Sequence, residues 1–295
     1  MRYGLIANTR KDLFWKELPG LLAWFEKNRV PLVLSESIPA NARFAIANFP
    51  AFPENELPGR CDMILAVGGD GTILRTVHLV SAAETPILGV NVGGLGFLTE
   101  IPLESFIPEF EKIVAGEYRV EKRIMLKGVI EGDPQPLYGL NEILIDKGSS
   151  VRVIQIETEV DGQYLNTYIA DGLLISTPTG STGYSLSSGG PIVVPSTEAL
   201  VINPVCPHSL TNRPTIIPEN AKISVRVRTE HREFIIAADG QNVHYCPTRT
   251  RLTVERAPFC AHLVKPSQSN FFHLLHSKLN WGKDFRDKKR WSHDS

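Results

Sequence analysis

Between residues 62 and 92 the chain repeats an order that few folds accommodate. Met63 to Val67 is an apolar run of strand length, Thr72 to Ala82 carries helical spacing, and Pro86 to Val92 is apolar again. Strand, helix, strand in this order implies right-handed crossovers and a parallel sheet. The turn after the first strand reads Gly68-Gly69-Asp70-Gly71-Thr72. Glycine lets a backbone turn sharply and lets a ligand approach with no Cβ in the way. At the carboxyl end of a parallel strand, such a turn faces the crevice where open α/β sheets bind ligands. A lone turn of this kind reads as a strand-to-helix corner with Asp70 as a helix cap. A second one, Gly93-Gly94-Leu95-Gly96-Phe97, follows the next strand, and two in one half-chain argue for a phosphate-bearing ligand.

The remaining segments extend that frame. Tyr3 to Ala7 reads as a first strand, followed by a helical pattern through Phe14, Leu18, Leu21, Leu22 and Phe25 and by an apolar run from Val30 to Leu34. Ser35 to Arg60 holds four prolines and little periodicity, and reads as irregular. Helical spacing returns from Leu103 to Val114 and stops at Gly116. From Tyr118 to about Lys265 the texture changes to alternating β-branched stretches, punctuated by turn pairs such as Asp161-Gly162 and Asp239-Gly240. That is an antiparallel, β-rich region. Phe271, Leu274, Leu275, Lys278 and Leu279 then share one helical face. A helix this short is marginal alone and must dock, back onto the first domain. The expected organisation is an α/β domain over 1–118 with 267–285 docked on it, a β-rich domain over 119–266, and a frayed basic tail over 286–295.

Composition narrows the function classes. A net charge of −1 gives no electrostatic case for nucleic acid or anionic lipid. No apolar run approaches membrane-spanning length, and Met1-Arg2-Tyr3-Gly4-Leu5-Ile6-Ala7 turns polar too soon for a signal peptide. Four scattered cysteines read as reduced thiols rather than a disulfide framework. A cytoplasmic protein is expected. No Gly-x-x-x-x-Gly-Lys-Ser/Thr occurs, and no Gly-x-Gly-x-x-Gly follows a strand, so neither common nucleotide grip is present. His244-x-Cys246 and Cys260-x-His262 depart from zinc-finger and zinc-ribbon spacing and read as core or edge residues. A Ser-His-Asp hydrolase lacks its Gly-x-Ser-x-Gly elbow here.

The densest stretch of the second half runs from Ala170 to Pro191. An apolar strand, Leu173 to Ile175, enters Ser176-Thr177-Pro178-Thr179-Gly180-Ser181-Thr182-Gly183-Tyr184-Ser185-Leu186-Ser187-Ser188-Gly189-Gly190. Hydroxyls and freed backbone N–H groups suit phosphate and ribose oxygens, and Tyr184 offers an aromatic face to a base. A flexible Ser/Gly linker would not carry the interleaved Pro178, Thr182, Tyr184 and Leu186. Asn141-Glu142, directly before the apolar Ile143-Leu144-Ile145, is by itself an ordinary strand-edge pair. Beside two glycine-rich loops it becomes a candidate for binding a base, a ribose or a metal.

In this order, Gly68-Gly69-Asp70-Gly71-Thr72, Gly94-Leu95-Gly96-Phe97-Leu98, Asn141-Glu142, the Asp171 to Pro191 segment and Asp239-Gly240-Gln241 resemble the NAD kinases. The likeness extends to Pro207 through Pro214 and to the tail Lys278-Leu279-Asn280-Trp281-Gly282, covering most of the chain from residue 62. Lipid kinases and phosphofructokinases share versions of the first motif, while the long Thr-Pro-Thr-Gly-Ser-Thr loop is more specific. The resemblance implies a phosphofructokinase/diacylglycerol-kinase-like α/β domain with a parallel sheet, joined to a β-rich second domain. It implies transfer of the ATP γ-phosphoryl group (or that of polyphosphate) to the adenosine-ribose 2′-hydroxyl of NAD, with Mg²⁺ or a similar divalent ion.

By that likeness Asp70 is the essential carboxylate and proton acceptor. Gly71, Arg75 and Phe97 border the ligands with it. Asn141, Glu142, Asp171, Thr182, Gly183, Tyr184, Ser185, Leu186, Ser187 and Gln241 line the NAD site, with Arg152 a looser match. No protein metal ligand is implied, and a homo-oligomer, dimer or tetramer, is. Gly183 stands where the family usually has Ala, and Asn8-Thr9-Arg10 lacks a frequent proline; both touch affinity more than reaction class. The rival readings are a lipid kinase, which would need an acyl pocket, and a non-catalytic NAD(P)(H) sensor, which the retained Asp70 disfavours.

Overall fold

The computed structural model describes residues 1–46, 48–94, 96–99 and 101–281. The tail expected to fray, 286–295, lies outside them. The first part of the chain runs β1 (Tyr3–Ala7), α1 (Asp12–Lys27), β2 (Leu32–Ser35), α2 (Ser37–Asn41), β3 (Ala51–Phe52), β4 (Met63–Gly68), α3 (Asp70–Val80), β5 (Ile87–Asn91), β6 (Ile101–Pro102) and α4 (Phe106–Val114). The middle follows as β7 (Tyr118–Ile130), β8 (Leu137–Gly139), β9 (Glu142–Asp146), β10 (Ile154–Val160), β11 (Gln163–Ala170), β12 (Gly172–Ser176) and α5 (Tyr184–Ser187). The rest comprises β13 (Ala199–Val205), β14 (Thr215–Pro218), β15 (Ile223–Arg228), β16 (Glu233–Ala238), β17 (Asn242–Pro247), β18 (Arg251–Pro266) and α6 (Phe271–Leu279). The segment read as irregular, 35–60, thus contains a short helix, a two-residue strand and a 3-10 turn.

β1, β2, β4 and β5 pair in parallel in the order β5-β4-β1-β2. Every residue of these strands is buried, as expected when both faces are covered and strands read as continuous apolar runs. On one face α1 inserts Phe14, Leu18 and Phe25 beside Phe106 and Phe110 of α4. On the other, α3 packs Ile73, Val77 and Val80. The chain moves from β1 outward to β2 and later returns to place β4 on β1's other side. That reversal makes the crevice beyond Ala7 and Gly68 the topological switch point, the usual ligand position in such sheets.

The second half is a β-sandwich, and it is not a separate sheet system. β18 is sixteen residues long. Its first part pairs antiparallel with β15, its last part parallel with β5, and β7 follows it throughout. One sheet therefore runs from β3 through the parallel strands to β18, β15, β10 and β11. The register with β7 shifts between Arg256 and Cys260. Pro258 sits in that gap; lacking an N–H, it is tolerated at a bulge, which also bends the strand.

A six-stranded antiparallel sheet, β14-β13-β12-β9-β16-β17, faces the β15-β10 end of the first. Side chains such as Ile143, Ile145, Leu173, Val225 and Phe234 fill the space between. Its register places Ser176 opposite Glu142 and Ala238 opposite Ile143. The start of β9 and the ends of β12 and β16 thereby meet at one edge. α6 is capped by Asn270, whose side chain accepts from Phe272 N and His273 N, and it ends at Asn280 in the left-handed region. It buries Leu274 and Leu275 and brings Lys278 Nζ to 5.8 Å from the Phe97 ring. Among the described residues no helix is long and apolar enough to cross a membrane.

Candidate active site

Asp70 is the first residue of α3, after an extended Gly69. Its carboxylate does not cap the helix as a lone turn would suggest. Oδ2 accepts the Phe97 N–H at 2.9 Å and Oδ1 accepts the Leu98 N–H at 3.1 Å. The first glycine turn thus holds the second through a charged acceptor, the stronger class of hydrogen bond. The approach is close enough that a Cβ on Gly96 would lie 1.9 Å from Asp70 Oδ1. Only glycine fits there. The start of α3 also favours negative charge through its helix dipole.

Beside this turn, at the switch point, lies a cleft of about 550 Å³ lined by Asn8, Thr9, Arg10, Lys11, Gly69, Gly71, Thr72 and Arg75. Three cations and a helix N-terminus border it, and the carboxylate of Glu54 lines it as well. Arg75 is already paired with Glu54, which also accepts the Ser37 hydroxyl at 3.2 Å.

The second cluster forms at the edge of the antiparallel sheet. The Asn141-Glu142 backbone is fixed from both sides. Asp239 Oδ1 accepts the N–H groups of Asn141 (2.8 Å) and Glu142 (3.1 Å), and its Oδ2 accepts that of Leu140 at 2.8 Å. From the other side the Thr177 N–H donates to Asn141 O at 2.9 Å and its hydroxyl to Leu140 O at 2.6 Å. A Cβ on Gly180 would meet Asn141 O at 2.0 Å, so this loop position requires glycine. The side chains are a different matter. Asn141 Oδ1 and Glu142 Oε2 are buried with no hydrogen-bond partner among the described residues. Burial, reinforced by the negative charge of Asp239, raises the Glu142 carboxyl to about 8. Two unsatisfied oxygens in a well-tied backbone mark a place shaped for a ligand.

The 177–190 loop lies between these clusters. Phe97 and Leu98 share a small cavity with Thr179 and Thr182, so the turn bonded to Asp70 abuts the hydroxyl-rich loop. Thr182 donates to Thr179 O at 3.2 Å. A Cβ at Gly183 would stand 3.2 Å from Gly180 O and 3.5 Å from Glu142 Oε2, placing this position at the mouth of the Glu142 pocket. Tyr184 is 42% exposed. Partial burial, then the charges of Asp146, Cys206, Asp171 and Glu142, raise its phenol. Ser185 is turned inward instead, with its hydroxyl 3.3 Å from Asn203 Nδ2, while Leu186 is half-buried and Ser187 exposed. Asp171 begins at the far end of β12 and pairs with Lys147 at 2.7 Å.

Arg152 stands apart from this grouping within one chain, and Gln241 meets it only at its margin. Arg152 pairs with Glu230 and lines a separate cleft of about 590 Å³ with Ile169 and His208. Gln241 is exposed and approaches Gly71 O at 3.5 Å, beside a cavity of about 330 Å³ shared with Arg75 and His78. The two His/Cys pairs lie in different sheets, and His244 Nδ1 faces Asp133 at 3.2 Å. Among the described residues no three His, Cys, Asp or Glu side chains are grouped for a metal. Sequence reasoning missed Asp239, His78 and Glu54. Asp239-Gly240 carries a turn signal and part of the family likeness, but nothing in the spacing reveals that its carboxylate points back into β9.

The chain matches the family models described as ATP-NAD kinase N-terminal domain over residues 34–118 and ATP-NAD kinase C-terminal domain over residues 140–266. It is 42% identical over 231 residues to a protein named NAD kinase from Geotalea daltonii, covering 77% of this chain and 81% of that one. Its identity to the NAD kinase of Geobacter metallireducens is 40% over 266 residues, covering 89% and 92%. Among solved structures, the Archaeoglobus fulgidus NAD kinase in complex with ATP superposes with a TM-score of 0.76 at 28% identity, covering 95% of this chain and 99% of that one. Yeast NADH kinase complexed with NADH shares the fold, with a TM-score of 0.88 at 22% identity over 98% of this chain and 90% of that one.

Proposed function

The chain belongs to the NAD kinase family, and from that premise we infer how its own residues carry the phosphorylation of NAD by ATP to give NADP. Asp70 is the proton acceptor. Asn141 and Glu142 hold the adenosine ribose, and the cleft bearing Arg10, Lys11 and Arg75 takes the nucleotide phosphates. What carries this reading is the pairing of a prepositioned carboxylate at the switch point with two buried, unsatisfied oxygens at the adjoining sheet edge. The neighbouring ribose hydroxyl can donate to those oxygens, while the proton of the 2′-hydroxyl has Asp70 to go to.

In the reaction the ribose 2′-oxygen forms a bond to the γ-phosphorus as the bond to the β-phosphate oxygen breaks. ADP leaves, and the 2′-hydroxyl proton passes to Asp70. Phosphoryl transfer asks the protein mainly for alignment and charge stabilisation. The α3 N-terminus and the cleft's cations supply the second, and the clamped backbones of 96–98 and 140–142 the first. A divalent ion would supply neutralisation of phosphate charge, held chiefly through the nucleotide phosphates as magnesium commonly is. The dinucleotide extends along β9 and β12 from Glu142 toward Asp146 and Asp171, about 14 Å at strand rise, with Tyr184 against it. Gly183 leaves the mouth of the Glu142 pocket open.

The chain also assembles with copies of itself. Val151 and Leu210 are 91% and 90% exposed, and Ile169 is 49% exposed on the outermost strand β11, an apolar edge that a second copy would cover. Light scattering of the purified protein reads this directly, and a monomer at working concentration overturns it.

The reaction is tested by incubating purified protein with NAD, ATP and Mg²⁺ and detecting NADP with an NADP-specific dehydrogenase. NADP formation is expected. NAD binding without product, with polyphosphate also tried, would identify a sensor. Phosphorylation of diacylglycerol in its place would identify a lipid kinase.

A further inference from the structure

His78 lies two turns along the helix that Asp70 opens, at a rise of about 12 Å. Its Nε2 is 2.9 Å from Asp239 Oδ2, with the His78 side chain 14% exposed and the Asp239 carboxylate fully buried. Asp239 is the residue whose carboxylate gathers the N–H groups of Leu140, Asn141 and Glu142, and its own N–H donates to Glu142 O at 3.1 Å. It adopts φ +51°, in the left-handed region, so the turn holds a strained conformation to aim that carboxylate. Two residues on, Gln241 Nε2 reaches Gly71 O at 3.5 Å. One β16–β17 turn therefore touches α3 in both its first turn and its last.

From this chain of contacts we propose that His78 is a positioning residue that fixes α3, and with it Asp70, in register with the Asn141-Glu142 backbone. The proposal rests on the reading above that these residues hold and deprotonate the NAD ribose. The imidazole Nε2–H donates to Asp239. Asp239 passes the constraint to the three amides, and the amides set where Asn141 and Glu142 present their free oxygens. His78 itself touches neither substrate nor phosphate. Without it, each cluster remains internally bonded, since Asp70 keeps the 96–98 turn and Thr177 keeps Leu140 and Asn141. What is lost is the tie at the last turn of α3, which leaves only the long Gln241–Gly71 contact at its first. NAD binding should survive, and alignment of the bound ribose with Asp70 should not.

The test compares His78→Ala and His78→Gln in the full-length protein. Calorimetry gives the number of NAD-binding sites and their Kd, and turnover is expressed per binding-competent site, which removes any effect of a misfolded fraction. His78→Ala is expected to lower kcat per site by about 10–100-fold at an NAD Kd within threefold of wild type, because ångström-scale misplacement costs on this order. His78→Gln, which keeps an N–H donor, should recover most of that loss. Hydrogen exchange supplies a readout independent of turnover: the amides of residues 140–142 should exchange at least tenfold faster in His78→Ala, with those of β15 unchanged. A kcat per site within twofold of wild type in His78→Ala, equal kcat in the two variants, or unaltered protection at 140–142 overturns the proposal. If the wild-type chain itself makes no NADP, the functional reading fails, and the exchange arm still decides whether His78 holds this edge in place.

Discussion

Asp70 opens α3 with both carboxylate oxygens taken by backbone N–H groups of the 96–98 turn, whereas Glu142 opens β9 with one oxygen buried and unpartnered among the described residues. Both are acidic, and both open an element of regular structure. Their surroundings prepare them differently. Asp70 has two backbone donors, a helix N-terminus and an open cleft beside it. Glu142 has burial and a neighbouring carboxylate, which favour the protonated form until a ligand supplies donors. The difference teaches a division of labour. One carboxylate is held in place by backbone donors, and the other keeps a buried oxygen that a polyhydroxyl ligand would satisfy.

The comparison breaks most visibly at Gly96. Gly96→Ala would drive a methyl against Asp70 Oδ1, and should cut kcat by about 10²-fold while NAD still binds, as judged by calorimetry. If kcat holds, the close approach of the two glycine turns is not what positions Asp70. Glu142→Gln sharpens the other side. Folded Glu142 keeps its proton to about pH 8, whereas the unfolded chain loses it near 4.5. Between those values the folded state binds the additional proton, so stability declines as pH rises through the window. Denaturant titrations at pH 5.5 and 8.5 should show that decline in the wild type and less of it in Glu142→Gln, which has no proton to lose. An equal decline in both would remove Glu142 as its source. The smallest effect concerns Glu54, which is paired with Arg75. Arg75 is 42% exposed, so solvent screens the pair, and Glu54→Gln should lower the KM for ATP only about twofold.

Much of the architecture was legible because it rests on periodicity. The run from Met63 to Val92 predicts a parallel βαβ unit and delivers one. The alternating stretches after Tyr118 predict antiparallel strands, and the Phe271–Leu279 helix carries its apolar face where the spacing puts it. The joining of both halves through β18 was not legible, since strand pairing across a long separation leaves no local pattern. Pro258 was its one trace, a residue that does not belong in an unbroken central strand. The site divides in the same way. Asp70, Asn141 and Glu142 were found from glycine density and resemblance. Asp239 and His78 act through contacts 161 positions apart, which no spacing encodes. Ser185, grouped with the ligand-facing hydroxyls by its neighbours, turns inward because Asn203 and Gly190 claim it from behind.

The central claim is that Asp70 accepts the ribose proton while the rest of the site binds without it. Single-turnover phosphorylation of NAD, with NAD bound to saturation and its occupancy confirmed by calorimetry, separates the two roles in Asp70→Asn. Expected are an unchanged fold, near-normal NAD occupancy and a rate lower by a factor of about 10²–10⁴, the range for loss of a general base. A rate within tenfold of wild type at full occupancy would contradict that claim.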